Sequence, residues 1–566
     1  MAKPKYKMKA RVSIEKIRFS DGTELTFEPN QITVFVGPNN AGKSATLKEL
    51  NTLIKAKNQE GKVVKDFILK KEGNLDDLLD FVKEFSIEQI TGSPQPYYSG
   101  YKYSLYKGNI NNYWNNSNQL SDLHPVFINL LSTEERLTIS KPPQNISLTK
   151  EAVTHPIHFM QKDDSIESKF SEYFKQAFNE DLIVHRNAGN NVPLYVGKRP
   201  IPKEGEDRVS VSYLSELEKL PLLHEQGDGM RSFVGVLLSA FISNHSLLLI
   251  DEPEAFLHPP QARLLGKMLA KDLPTNRQLF LATHSSDFLK GLLEADVSNL
   301  KIVRIQRDGD INKVSVLENS EITEIWNDSL LRHSNILDGL FHSKVVICES
   351  DSDCRFYSAV IQSVFEKENN ISPDLLFVHC GGKHRVSSVI KALRKLNVKI
   401  NSILDFDVLN NINPLKDIFE ECGGDWETIK NDWRIVKDSI DAKRPELETT
   451  DLKKELNEIL NSTTERIFPK EKVNEINGVL KKVSAWSHAK QVGKGFVPSG
   501  DPSQSYQKLI QNLEEVGILV VEVGELESFV KSVGNHGPKW VNEVLLKDLG
   551  NDPELNEARD FVKKMI

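Results

Sequence analysis

The octet Gly37-Pro38-Asn39-Asn40-Ala41-Gly42-Lys43-Ser44 constrains this chain more than any other stretch. It follows Gln31-Ile32-Thr33-Val34-Phe35-Val36, an apolar run that reads as a buried strand, and it opens a pattern that predicts a helix from Lys43 to about Lys55. Between a strand and a helix, glycines let backbone N–H groups turn inward on an anion, and the helix N-terminus adds positive potential. Such a loop cradles nucleotide phosphates. Gly37, Asn40 and Gly42 shape it, Lys43 reaches the outer phosphates, and Ser44 holds Mg²⁺.

Two later segments complete a nucleotide site. Leu248-Leu249-Ile250-Asp251-Glu252 places Asp251 at the end of a buried strand, where it joins the Mg²⁺ shell, and Glu252 beside it, where it polarises an attacking water. His284, in Thr283-His284-Ser285 after a further strand, suits a contact to the terminal phosphate of ATP. Gln226-Gly227-Asp228-Gly229-Met230-Arg231 offers the backbone amides of Gly227 and Gly229 ahead of another helix.

The second half carries different chemistry. Apolar runs at 344–348, 375–380, 400–404 and 517–523 alternate with helical patterns around 354–367 and 384–396, which predicts a parallel sheet with crossover helices. Glu349 stands at the end of the first run, Asp353 on the turn after it, and Asp405 and Asp407 off the tip of the third. Ligands of parallel sheets gather at the carboxyl edge of the strands, so these acids converge if the strands are neighbours. Two carboxylates about 4 Å apart repel by roughly 4 kcal/mol at an effective dielectric of 20. A convergent set therefore needs cations, and oxygen ligands favour Mg²⁺ or Mn²⁺.

With 566 residues the chain exceeds a single core. The expected boundaries are an ATPase domain over 1–320, a polar helical connector over 321–343, and a second α/β domain over 344–566 whose segment 408–516 is a Lys- and Glu-rich helical insertion. The Asn-rich stretch Asn109 to Asn118 reads as a loop within a mixed, polar region from Asn58 to Lys150, and 302–305 with 313–317 as a hairpin. A net charge of -8 excludes a globally basic nucleic-acid binder, so contacts to DNA must come from local patches and metal ions. No run of about 18 apolar residues is present, and no membrane partner is expected. Cys348, Cys354, Cys380 and Cys422 lack paired metal spacing, in keeping with reduced thiols and a cytoplasmic location.

The first motif set resembles the ABC-type ATPases of the structural-maintenance and RecF-like group. There the segment matching Gly227 and Gly229 closes on ATP held by the other subunit, which implies a homodimer or higher homo-oligomer. Gln226 stands where that group commonly has serine. The long coiled coil of its chromosome-organising members has no counterpart here.

The second set resembles the TOPRIM fold, with a glutamate after the first strand, Gly381-Gly382-Lys383 after the second and an Asp-x-Asp pair after the third. On fold alone that is a topoisomerase, a primase or a nuclease. The order ATPase then TOPRIM, with a helical insertion before the last strand, is similar to the OLD (overcoming lysogenisation defect) nucleases. That family includes the Gabija nuclease subunit and retron-linked effectors.

The OLD likeness implies a DNA endonuclease of antiphage defence using ATP and Mg²⁺ or Mn²⁺. It also implies a partner from the same operon, either a helicase or a retron reverse transcriptase with its RNA–DNA hybrid. In Gly524-Glu525-Leu526-Glu527 it assigns a further metal ligand to Glu525, with Glu527 as the alternative, and it assigns a catalytic lysine to Lys539. Lys470, Lys472, Lys481, Lys482, Lys490 and Lys494 in the insertion read either as a DNA-gripping arm or as a solvated helix face. Two rivals stay open: a repair or recombination ATPase whose second domain binds DNA without cutting, and an ATP-gated sensor for a partner effector.

Overall fold

The computed structural model describes residues 10–56, 60–90, 92–151, 153–317, 335–382, 385–443, 448–481 and 484–566. Lys383, Lys482, the Lys481 side chain and most of the expected connector lie outside the described residues. Two compact units divide at Asn327 and Asp328.

In the first unit the strands are β1 (Arg11–Phe19), β2 (Glu24–Thr26), β3 (Ile32–Val36), β4 (Val64–Glu72), β5 (Ser86–Gln89), β6 (Tyr97–Gly100), β7 (Tyr103–Tyr106) and β8 (Ile128–Leu131). They continue as β9 (Asp181–Val184), β10 (Leu194–Gly197), β11 (Leu247–Asp251), β12 (Gln278–Ala282), β13 (Leu300–Asp308) and β14 (Ile311–Leu317). The central sheet has the order β14-β13-β3-β12-β11-β8, parallel except for the β13–β14 hairpin. Its inner strands β3, β11 and β12 are almost wholly apolar because both faces are covered, as buried parallel strands require. β3 and β12 are buried along their whole length.

A smaller antiparallel sheet, β2-β1-β4, is fastened to the central one by buried polar side chains. Gln278 accepts from the Ile14 N–H and donates to the Ile14 carbonyl, both at 2.8 Å. The Ser246 hydroxyl does the same for Val12 at 3.0 and 2.8 Å. Backbone groups that a second sheet would otherwise leave buried and orphaned are thereby satisfied.

Two readings of this half need correction. The Asn-rich stretch is not a loop throughout, since Lys107–Asn115 is helical. Ile110 and Trp114 lie one turn apart on its buried face, and the Trp114 indole donates to the Gly73 carbonyl. Burial of that pair overrides the weak helix propensity of asparagine. The mixed, polar region from Asn58 to Lys150 also supplies β8, an edge of the central sheet hidden among polar neighbours.

The second unit is built on β15 (Lys344–Cys348), β16 (Leu375–His379), β17 (Lys399–Leu404) and β18 (Ile518–Val520), all parallel in the order β16-β15-β17-β18. Helices Asp351–Lys367 and Val386–Lys395 supply crossovers. Phe356, Tyr357, Phe529, Trp540 and Phe561 pack one face as a chain of ring contacts. The insertion between β17 and β18 folds as helices Ile412–Glu421, Trp426–Asp441, Thr449–Asn461, Lys470–Lys481, Ala485–Val492 and Asp501–Glu515. Asp353, on the turn after β15, lies in the first turn of the helix Asp351–Lys367, where a Ser350/Asp353 capping box starts the helix.

Candidate functional site

The glycine loop is held in a shape only its sequence permits. Gly37 has φ 146°, and a Cβ there would lie 2.0 Å from the Ile305 carbonyl oxygen on β13. Asn40 (φ 59°) and Gly42 (φ 104°) also occupy the left-handed region, which turns the loop onto the N-terminus of the helix Lys43–Lys55. The Lys43 ammonium donates to the carbonyls of Gly37 and Pro38 at 2.7 and 2.8 Å, so it lies across the mouth of the loop. The Asn312 side chain from β14 braces the other side, donating to the Ala41 carbonyl at 2.6 Å.

Because β11, β12 and β3 are adjacent, their ends bring the remaining residues to this loop. The Ser44 hydroxyl donates to Asp251 Oδ1 at 2.7 Å, the pairing expected of two groups that share one Mg²⁺ shell. Glu252 has φ 49°, a strained value that sets its carboxylate 3.3 Å from His284 Nε2. Burial pulls the His284 imidazole below its ordinary value and Lys43 adds to this, against the pull of Glu252 and Asp251. A neutral imidazole beside a carboxylate is ready to donate one N–H.

Two residues here escaped the sequence reading. Glu254 is buried and accepts from the Thr283 hydroxyl at 2.7 Å and the His284 N–H at 3.0 Å, tying the strand-end acids to the histidine. Its place in Asp251-Glu252-Pro253-Glu254 was the available signal. Arg136, fully buried on the helix Thr133–Ile139, donates to the Asp251 carbonyl and, at 3.1 Å, to the Thr133 hydroxyl. Burial draws its guanidinium below the ordinary range, against Glu254, Asp251 and Glu252. No local pattern marks it.

Gly227 caps the helix Asp228–Leu237, and Gly229 presses on Phe256, where a Cβ would lie 2.8 Å from the carbonyl oxygen. Among the described residues no hydrogen bond joins this segment to the glycine loop.

In the second unit the parallel neighbours β15 and β17 bring distant acids together. Glu349 Oε1 accepts from the Asp405 backbone N–H at 3.2 Å. Burial and Asp405 push the Glu349 carboxyl up to about 7. The same two causes push Asp353 up to about 6, although Asp353 also accepts from the Ser350 N–H at 2.8 Å. Asp405 is raised by burial even with an ammonium beside it.

That ammonium is Lys490, from the helix Ala485–Val492, 2.8 Å from Asp405 and 3.9 Å from both Asp407 and Glu525. Burial lowers it, but the three acids outweigh burial and hold it well above the ordinary lysine range. Neither reading of the insertion lysines describes Lys490, which points into the acid rim rather than toward solvent. Lys472, by contrast, pairs with Glu475 at 2.9 Å on an exposed helix face.

Glu525 and Glu527 are not exclusive choices, since their carboxylates and His536 bring ligand atoms within 4.8 Å of one another. Glu527 accepts the Gly537 N–H at 2.7 Å, which holds the loop that carries His536. Lys539 is exposed on the first turn of the helix Pro538–Val544, and no ion pair reaches it among the described residues. The donor set of Glu349, Asp353, Asp405, Asp407 and Glu525 is all oxygen, and burial raises Glu349, Asp353, Asp405 and Glu525 in particular. These residues fit a hard divalent cation, whose charge removes the cost of ionising them.

Residues 32–289 match the family AAA_21, described as 'AAA domain, putative AbiEii toxin, Type IV TA system'. Residues 340–407 match the overcoming lysogenization defect protein-like TOPRIM domain. The chain is similar to the uncharacterized protein MJECL11 of Methanocaldococcus jannaschii, 35% identical over 108 residues that make up 18% of this chain and 94% of that protein. It is also similar to the Old nuclease of Escherichia phage P2, 23% identical over 207 residues, or 36% of this chain and about a third (32%) of the nuclease. An SMC head domain from Thermotoga maritima aligns at 12% identity over 54% of this chain and 99% of that one, with a TM-score of 0.28, too low to bear on function or assembly. The TOPRIM match begins just before β15 and ends on Asp407, so it spans the strands that bring Glu349 to Asp405, while the AAA match spans β3, β11 and β12, whose ends meet at the nucleotide loop. With these two domains in this order on one polypeptide, the chain is an ATPase–TOPRIM protein similar to the OLD family.

Proposed function

We propose that this protein binds and hydrolyses ATP and cuts DNA as a divalent-metal-dependent endonuclease. In this reading an ABC-type ATPase domain spans 1–320, a connector 321–343, and a TOPRIM domain with its insertion 344–566. The observation that carries the cutting role is the bond from the Asp405 N–H to Glu349, which brings two separate acid motifs to one rim.

At the first site Lys43 exchanges the Gly37 and Pro38 carbonyls for phosphate oxygens, and loop N–H groups donate to the same phosphates. Ser44 and Asp251 hold Mg²⁺, Glu252 accepts a proton from the attacking water, and His284 donates to the terminal phosphate. Gly227 and Gly229 of a second copy close over the nucleotide, which makes the working unit a homodimer or larger.

At the second site Glu349, Asp353, Asp405, Asp407 and Glu525 hold Mg²⁺ or Mn²⁺, with Glu527 and His536 beside them. Bound there, the metal supplies an activated water and neutralises the leaving oxygen of the phosphodiester. Lys539, free to reach solvent on its helix turn, donates to a phosphate oxygen. ATP sets the geometry or availability of the cutting site, because phosphodiester hydrolysis is already downhill. A role in antiphage defence, with a helicase or a retron reverse transcriptase and its RNA–DNA hybrid as partner, follows from the family alone.

Plasmid cleavage with and without Mg²⁺ or Mn²⁺ and ATP, comparing wild type with Asp405→Ala and Lys43→Ala, tests this. Metal-dependent nicking that Asp405→Ala abolishes supports it. Wild type that binds plasmid and hydrolyses ATP but never nicks, even with Mn²⁺, points instead to a DNA-binding ATPase or a sensor.

A further inference from the structure

The turn that follows β11 grips His284 twice, and only one grip touches its ring. Glu252 meets the imidazole at 3.3 Å, while Glu254, two residues on, holds the main chain. The strand ladder explains why the second grip is needed. The Glu252 N–H donates to the Ala282 carbonyl at 2.8 Å, and one further parallel rung would pair the His284 N–H with the Glu252 carbonyl. That rung is not made. Glu252 turns away at φ 49°, and its carbonyl accepts from the Ala255 N–H at 2.9 Å instead. β3 on the other side takes the Thr283 N–H through the Phe35 carbonyl at 3.2 Å, and N–H groups along an inner strand alternate in direction, so it does not serve His284.

Glu254 supplies the missing acceptor. Its Oε1 receives the His284 N–H at 3.0 Å and the Thr283 hydroxyl at 2.7 Å. The same hydroxyl accepts the Ser285 N–H at 3.0 Å, and the Ser285 side chain caps the helix Ser286–Glu294 by accepting from the Phe288 N–H. One carboxylate oxygen thus pins three consecutive residues between β12 and that helix. Thr283 is fully buried, as is Oε2 of Glu254, and a hydrogen bond withdrawn from water is the stronger for it.

We propose that Glu254 is a positioning residue of the ATPase site, holding His284 at the distance from Glu252 that hydrolysis needs. It acts through the main chain of the histidine, so its loss frees the imidazole while the glycine loop and Lys43 still hold nucleotide. This rests on the ATP-hydrolysis reading above, and its test keeps the two apart.

Steady-state ATP hydrolysis and equilibrium ATP binding are measured on the full chain with Mg²⁺ for wild type, Glu254→Ala, Glu254→Gln, His284→Ala and the double variant Glu254→Ala/His284→Ala. Glu254→Ala is expected to lower kcat roughly thirtyfold, the order of loss that a misplaced group brings, while Kd for ATP stays within about twofold. Glu254→Gln keeps the acceptor oxygen and is expected to hold kcat within about threefold of wild type. In the His284→Ala background Glu254→Ala should cost less than about twofold more, since a residue acting through the histidine has nothing left to position. Should Glu254→Ala fail to fold, Thr283→Val removes one donor to the same oxygen and is expected to lower kcat about fivefold, again only when His284 is present. A kcat for Glu254→Ala equal to wild type, a Glu254→Gln as slow as Glu254→Ala, or a loss that persists in full without His284 overturns the positioning role and leaves the ATPase reading intact. Wild type that binds ATP and does not hydrolyse it overturns that reading, and the positioning role with it.

Discussion

The backbone N–H of Asp405 donates to Oε1 of Glu349 across 3.2 Å, joining residues 56 positions apart. The bond exists because β15 and β17 are parallel neighbours with Ile347 opposite Ser402, so the two chains leave the sheet side by side. It orients one oxygen of Glu349 toward the main chain and leaves the other for a ligand.

Replacing Glu349 with Gln keeps that acceptor and removes the charge. Metal-dependent nicking is expected to fall roughly a hundredfold or more, since loss of several kcal/mol of charge stabilisation costs about a decade per 1.4 kcal/mol. ATP hydrolysis by the same preparation should be unchanged. Equal nicking rates for Glu349→Gln and wild type in supercoiled-plasmid assays would refute a role in cutting.

The acid rim also sets a pH dependence. Glu349 and Asp353 are raised to about 7 and about 6, so the folded, metal-free protein binds their protons more tightly than the unfolded chain does. The stability this contributes is full below their ordinary values and is lost as pH rises through 6 and 7. With chelator present, thermal melting should move to lower temperature from pH 5.5 to 7.5, less steeply in Glu349→Gln. Mn²⁺, which binds the ionised acids, should reverse the trend, and melts across that range with and without the ion check both signs.

Glu252→Gln should leave nucleotide binding intact and slow hydrolysis by roughly a hundredfold, because the amide cannot accept a proton from water. If two copies close over ATP, this variant should also accumulate as an ATP-dependent dimer. Light scattering with ATP and with ADP reads that directly.

Arg136→Met removes the guanidinium that holds the Asp251 carbonyl. Leaving Glu254 and the strand-end acids without that buried counter-charge is expected to cost about 3–5 kcal/mol. ATPase activity should be lost even where the fold survives. Denaturant melts of Arg136→Met and Arg136→Lys, beside their hydrolysis rates, separate the effect on stability from that on chemistry.

Gly524→Ala would force a Cβ to 2.1 Å from the Lys490 carbonyl oxygen at a φ of +118°. Either the turn or the insertion helix must move, so nicking should drop while ATP hydrolysis holds. Unaltered nicking would show that the seam between the insertion and β18 does not shape the site.

Local order carried much of the description. β3, the glycine loop and the helix Lys43–Lys55 were readable because a buried strand, a left-handed turn and a helix start each demand particular residues in sequence. The same holds for β11 with Asp251 and Glu252, and for the strands that end at Glu349 and Asp405. Where the chain departed from expectation, contact with distant residues had decided. Asn109 to Asn115 became helix because Ile110 and Trp114 found a core to bury in.

The sequence by itself determined the two motif sets, their order and the strand ends that bear them, because each is encoded within a few consecutive residues. Only the tertiary structure decided which charges meet. Arg136 under Asp251, Glu254 between Thr283 and His284, and Lys490 among Asp405, Asp407 and Glu525 are pairs set by strand order and by glycines that let two backbones touch. Coulomb interactions depend on distance in space, and no spacing along the chain records that distance.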